Sequence, residues 1–152
     1  MDRRIFLLLL LAGAGATGLA MLGLAPSRAI PNLDIHLGQE RCKRCGMIIS
    51  RINYAAAFYI GSQDWQKYDD IGCMVRSYIT ETNMLSIKVF DINSGEELDA
   101  SAAYYFLADL RKIRTPMGYN IVATKSYDEA KQMAKEHGSS AIKWNEIPRS
   151  GD

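Results

Sequence analysis

After residue 46 the chain never runs far without a turn signal: Gly61-Ser-Gln-Asp64, Asn93-Ser-Gly95, Thr115-Pro-Met-Gly118 and His137-Gly138 cut it into short pieces. Each piece is therefore a short strand or a short helix, and its hydrophobic period says which. Met47-Ile-Ile reads as the start of a short strand. Tyr54–Ile60 and Trp65–Tyr68 read as two more, paired as a hairpin across Gly61–Asp64. Leu85–Asp91 alternates like a half-buried strand, and Tyr119–Ala123 and Ala141–Ile147 are strand-like. Two stretches carry the helical period instead. Ile71, Met74, Val75 and Tyr78 stand at i, i+3, i+4 and i+7 behind the acidic pair Asp69-Asp70. Ser126-Tyr-Asp-Glu129 is a capping box opening a helix with Ala130, Met133 and Ala134 on one face, closed at His137-Gly138. Between Ala100 and Leu110 the alanines favour helix while Tyr104-Tyr-Phe106 favours strand. The pattern predicts an α+β fold: a small single domain of short antiparallel strands with two or three helices.

Residues 1–29 stand apart. Arg3-Arg4 precede an apolar run from Ile5 to Ala25, and Ser27-Arg-Ala29 approximates a small-x-small cleavage site. The segment reads as an export signal or an N-terminal membrane anchor, the anchor attaching through residues 5–25. Arg3-Arg4-Ile5-Phe6-Leu7 also resembles a twin-arginine export signal, from which Asp2 and Leu8 depart. The expected location is exported, periplasmic or extracytoplasmic. Residues 30–40, rich in Pro, Asn, Asp and Gly, read as an extended lead-in, and 41–148 as the folded domain. Setting aside Arg3, Arg4, Arg28 and Asp2 from 18 basic and 17 acidic residues leaves 15 against 16. That balance gives no electrostatic reason to expect nucleic acid or an anionic membrane as partner.

The chemistry concentrates in sulfur. Three cysteines, Cys42, Cys45 and Cys73, are an odd number for a chain sent to an oxidising compartment, so one is free, metal-bound or paired outside the chain. Cys42-x-x-Cys45-Gly46-Met47 admits three readings. A thiol-disulfide redox pair sits where a strand enters a helix, whereas here a turn enters a strand, although Arg41, Lys43 and Arg44 favour thiolates. Structural zinc wants four ligands, which Cys42, Cys45, Cys73 and His36 or His137 would have to supply. Copper(I), a soft ion content with two or three sulfur donors, matches best, with Met47 beside the pair and Met117 at a turn tip as thioethers. A disulfide staple within the domain is the structural alternative.

Other residues have plainer explanations. Met74, Met84 and Met133 fit core packing, and Cys73 fits a small buried residue as well as a ligand. His36 reads as a solvated lead-in residue and His137 as a cation at a helix C-terminus. Asp69-Asp70 could form a hard-metal or acid/base site, but helix N-terminal capping explains them more simply. A phosphate loop and a Ser-His-Asp set are both absent from the sequence.

Cys42-x-x-Cys45-Gly-Met47, Tyr68-Asp-Asp-Ile-Gly-Cys73-Met74, Asp99-Ala-Ser-Ala-Ala-Tyr104-Tyr105 and Thr115-Pro-Met-Gly118, in this order, resemble the NosL family, exported copper-binding accessory proteins of nitrous oxide reductase maturation. The resemblance runs from about Glu40 to Ile147. It implies a small α+β fold similar to part of organomercurial lyase, and copper(I) held by donors among Cys42, Cys45, Met47, Cys73 and Met117. It implies a non-catalytic carrier whose partner is a copper-receiving enzyme such as nitrous oxide reductase or its assembly transporter. The lipoprotein cysteine that many relatives use as an anchor has no counterpart before Cys42. A redox enzyme using Cys42 and Cys45 is the alternative, and carbon-metal bond cleavage by two thiols and a carboxylate a more distant one.

Overall fold

The hairpin expected across Gly61–Asp64 pairs strand β1 (Ala56–Tyr59) with β2 (Gln66–Tyr68), Ala57 standing opposite Lys67. The coordinates are a computed structural model that describes residues 29–61, 64–78 and 84–149. The export signal or anchor expected over residues 1–29 lies, but for Ala29, outside the described residues. Among them, no helix is long and apolar enough to cross a membrane.

β1 is buried along its whole length because it is central: β3 (Ser86–Phe90) pairs on its other side, with Phe58 opposite Ile87. β4 (Glu97–Asp99) completes an antiparallel sheet of order β2-β1-β3-β4. Lys88 on β3 ties β4 in through Glu97 at 3.2 Å and Asp99 at 2.9 Å. Three residues with two acidic side chains carry too little strand signal to be read from sequence, which is why β4 escapes the periodicity.

A second, two-stranded sheet pairs β5 (Tyr104–Leu107) with β6 (Ile121–Thr124) antiparallel. The ambiguous stretch is thus resolved as strand. Tyr105 and Phe106 find burial on opposite sides, and the Tyr105 hydroxyl donates to the Ala100 carbonyl at 2.7 Å. Helix α2 (Tyr127–Glu136) starts at the expected cap, where Ser126 Oγ accepts from Glu129 N at 3.2 Å. Its Ala134 packs with Phe106 and Val122 in a small core of their own. Helix α1 (Ile71–Tyr78) turns Ile71, Cys73, Met74 and Val75 into the main core, against Phe58, Tyr68, Val89, Tyr105 and Ile121.

Two expected strands shrink to single bridges. Met47-Ile-Ile contributes only Ile48, paired with Arg41, and Ala141–Ile147 only Ile142, paired with Tyr105. In the second case the Glu146 carboxylate accepts from Lys143 N at 2.6 Å, which draws Trp144–Glu146 into a 3-10 helical turn. The α+β class, two helices over short antiparallel strands, stands as expected.

Candidate metal centre

The Cys42–Gly46 turn closes on itself. Cys42 N donates to Met47 O at 2.8 Å and Gly46 N to Cys42 O at 2.9 Å, while Gly46 takes φ +75°, a left-handed conformation glycine adopts without penalty. Lys43 N donates to Lys67 O at 2.9 Å, which docks this turn on β2 just ahead of Asp69. There the chain passes from strand into α1. Asp70, fully buried, accepts from Gly72 N at 2.8 Å with one oxygen and from Met117 N at 2.9 Å with the other. One carboxylate therefore caps α1 and anchors the Thr115–Gly118 turn. Gly72 leaves room for Tyr119, whose Cβ lies 2.2 Å from where a Gly72 side chain would begin. The guanidinium of Arg76, one turn along, covers the Tyr119 ring at 3.9 Å.

These contacts bring the three cysteines together. The Sγ atoms of Cys42, Cys45 and Cys73 and a carboxylate oxygen of Asp69 all lie within 4.8 Å of one another. All three thiols are free. Cys42, Cys73 and Asp69 are buried, and Cys45 is the half-exposed member through which the cluster meets solvent. Its thiol donates to Asp69 Oδ1 at 3.4 Å, and Asp69 Oδ2 is buried with no hydrogen-bond partner among the described residues.

So many acidic groups in one place cannot all ionise. A hydrogen bond from the Cys73 thiol, aided by contacts with Asp69, outweighs burial and pulls Cys42 down to about 4. That bond, together with burial and the neighbouring charge, drives Cys73 far above the ordinary thiol range. Burial, then the Cys42 charge, pushes Cys45 up to about 11. Burial likewise raises Asp69 to about 6. The cluster at neutral pH is one thiolate, two thiols and a carboxylate close to its titration point.

Of the residues singled out from sequence, Cys42, Cys45 and Cys73 converge. Met47 and Met117 stand exposed on the two turns that flank the cluster. His36 pairs with Asp34 and Glu40, and His137 Nδ1 accepts from Asp109 N at 3.0 Å, so the expected fourth zinc ligand does not come from a histidine. Met74 is buried in the main core, as its helical position predicts. Asp69, for which the sequence favoured a capping role over a metal or acid/base site, is the fourth member of the cluster. Asp70 does the capping assigned to both, which leaves Asp69, in the bend between β2 and α1, to face the thiols.

The NosL family model matches residues 34–151. Among solved structures the chain is similar to the copper chaperone NosL from Shewanella denitrificans, at 15% identity and a TM-score of 0.61, covering 80% of this chain and 97% of that one. No curated protein matches the chain. With its domain spanned by the family model and its fold shared with a solved member, the chain belongs to the NosL family.

Proposed function

We propose that this protein is an exported, non-catalytic copper(I) carrier that supplies an extracytoplasmic copper enzyme, nitrous oxide reductase or its assembly transporter being the expected recipient. The observation that carries this reading is the convergence of three sulfurs within 4.8 Å. At the ~2.3 Å typical of metal–thiolate bonds, three sulfurs in a plane around one ion stand about 4 Å apart, so the cluster needs only a small contraction. Thiolates are the donors a soft monovalent ion prefers. The similarity to a copper chaperone supports the same choice.

The residues divide the work. Cys42, already ionised, attracts the cation. Cys45 loses its proton as the ion arrives, and Asp69, hydrogen-bonded to that thiol, is positioned to pass it on to solvent. Cys73, rigid on α1, supplies the third sulfur. Release runs through Cys45, the half-exposed ligand, where an acceptor's donor joins before this one leaves. Met47 and Met117 on the flanking turns are weaker donors for that passage.

Asp69 also favours a second reading, since three thiolates and one carboxylate make a four-donor set that suits zinc. A redox role is less well supported, because the ionised thiol is the buried Cys42 while the half-exposed Cys45 is held protonated. The test is titration of the reduced protein with copper(I) against a colorimetric chelator, with zinc(II) in parallel. One-to-one copper(I) binding that is abolished by Cys42→Ser and Cys45→Ser but survives Asp69→Asn supports the carrier. Zinc binding that requires Asp69, with weak copper(I) binding, replaces it.

A further inference from the structure

The two turns that frame the cluster are charged unlike the rest of the molecule. Residues 40–51 and 109–118 hold Arg41, Lys43, Arg44, Arg51, Arg111, Lys112 and Arg114, against only two acids, Glu40 and Asp109. The remainder of the chain after residue 29 has eight basic and fourteen acidic residues. A near-neutral domain has thus gathered positive charge on one side.

That side is one surface. Arg51 Nη2 donates to Arg114 O at 3.2 Å, joining the two segments directly. Asp69 and Asp70 join them again underneath, one in the thiol cluster and the other holding Met117 N. Both acids of the rim are already engaged, Glu40 with Lys67 at 2.5 Å and Asp109 with Arg111 at 2.7 Å. Lys43, Arg44 and Arg114 remain exposed around the opening. Between the charges the rim exposes apolar side chains, Met47, Ile48, Leu110 and Met117. Arg114, Pro116 and Met117 line a shallow concavity of about 390 Å³ with Leu110 and Arg111. Asp64, beside Arg41 and Lys43, is the exposed acid that borders this surface. Exposed apolar anchors among predominantly basic side chains are the composition of a binding surface, and the excess charge selects the partner.

We propose that this basic rim is the docking surface for an acidic protein segment on the molecule that receives the ion, a proposal that rests on the carrier reading. Opposite charge raises encounter rates and aligns the acceptor over Cys45, while the exposed methionines give it apolar footing.

The test uses a synthetic Asp/Glu-rich peptide bearing methionines, its Lys-rich counterpart, and phosphatidylglycerol vesicles. Each is titrated against the apo protein and the copper(I)-loaded protein. The acidic peptide is expected to bind both forms, more weakly as salt rises, and to draw copper(I) about tenfold faster than the Lys-rich peptide. Arg114→Glu is expected to weaken peptide binding while leaving copper(I) affinity within about twofold, since one exposed charge is worth little at equilibrium. Adding Lys43→Glu deepens the loss. Equal binding of the two peptides, tighter binding to the vesicles, or indifference to Arg114→Glu overturns the proposal. Peptide binding to the apo protein is read without metal, so failure of the protein to bind copper(I) at all would count against the carrier reading and register separately.

Discussion

Copper(I) binding should tighten with pH by a slope that counts the thiols giving up protons. Three ordinary thiols, each titrating near 9.0, would release three protons on ligation at neutral pH. Here Cys42, drawn down to about 4, has released its own beforehand, whereas Cys45 at about 11 and Cys73, higher still, have not. Ligation by all three therefore releases two protons between pH 6.5 and 8. The apparent affinity rises about 100-fold per pH unit, or ~2.7 kcal/mol at ~1.36 kcal/mol per proton. In Cys73→Ser the ion has only Cys42 and Cys45, and the slope falls to about tenfold per unit. The assay is chelator competition across this range, corrected for the chelator's own titration, with proton release followed by an indicator dye in weak buffer. A slope of three at pH 7 would refute the assignment of the thiolate to Cys42. An unchanged slope in Cys73→Ser would refute a ligating role for the buried thiol.

Gly72→Ala forces a Cβ to within 2.2 Å of Tyr119 and should cost about 1–3 kcal/mol by overpacking, read as a lower denaturant midpoint with unchanged slope. Wild-type stability would show that Tyr119 is free to move aside. Asp70→Ala strips the acceptors from Gly72 N and Met117 N and should destabilise by about 2–4 kcal/mol, with faster amide exchange at Met117 in particular. Unaltered protection there would mean that the turn holds itself. Met47→Leu and Met117→Leu should each change copper(I) affinity by less than about tenfold, whereas Cys42→Ser loses more than about a hundredfold, because exposed thioethers are weaker donors than clustered thiolates. Equal losses from Met117→Leu and Cys42→Ser would put the thioether among the principal ligands.

Most of the fold was legible because local chemistry and tertiary placement agree. The Ser126 cap, the Ile71–Val75 face and the hairpin across Gly61–Asp64 are decided within a few residues, by hydrogen bonds and side-chain periods that the sequence displays. Where length is short, the local signal fails: β4 has three residues, and the Ile48 and Ile142 segments find only one bridge each. Ala100–Leu110 was undecidable locally, since the choice depended on β6 lying alongside Tyr105.

The sulfur donors follow the same division. Residue type and spacing alone established that this chain carries a Cys-x-x-Cys turn closed by glycine, with a soft-metal bias and methionines on exposed turns. Only the tertiary structure decided that Cys73, 28 positions beyond Cys45, meets the pair, that Asp69 faces the thiols while its neighbour caps the helix, and that two basic loops share one rim. The physical reason is range. Turn and helix propensities act over one or two turns of chain, whereas the cluster depends on Lys67 receiving the Cys42–Gly46 turn and on Asp70 reaching Met117, contacts that exist only once β2, α1 and β6 have packed.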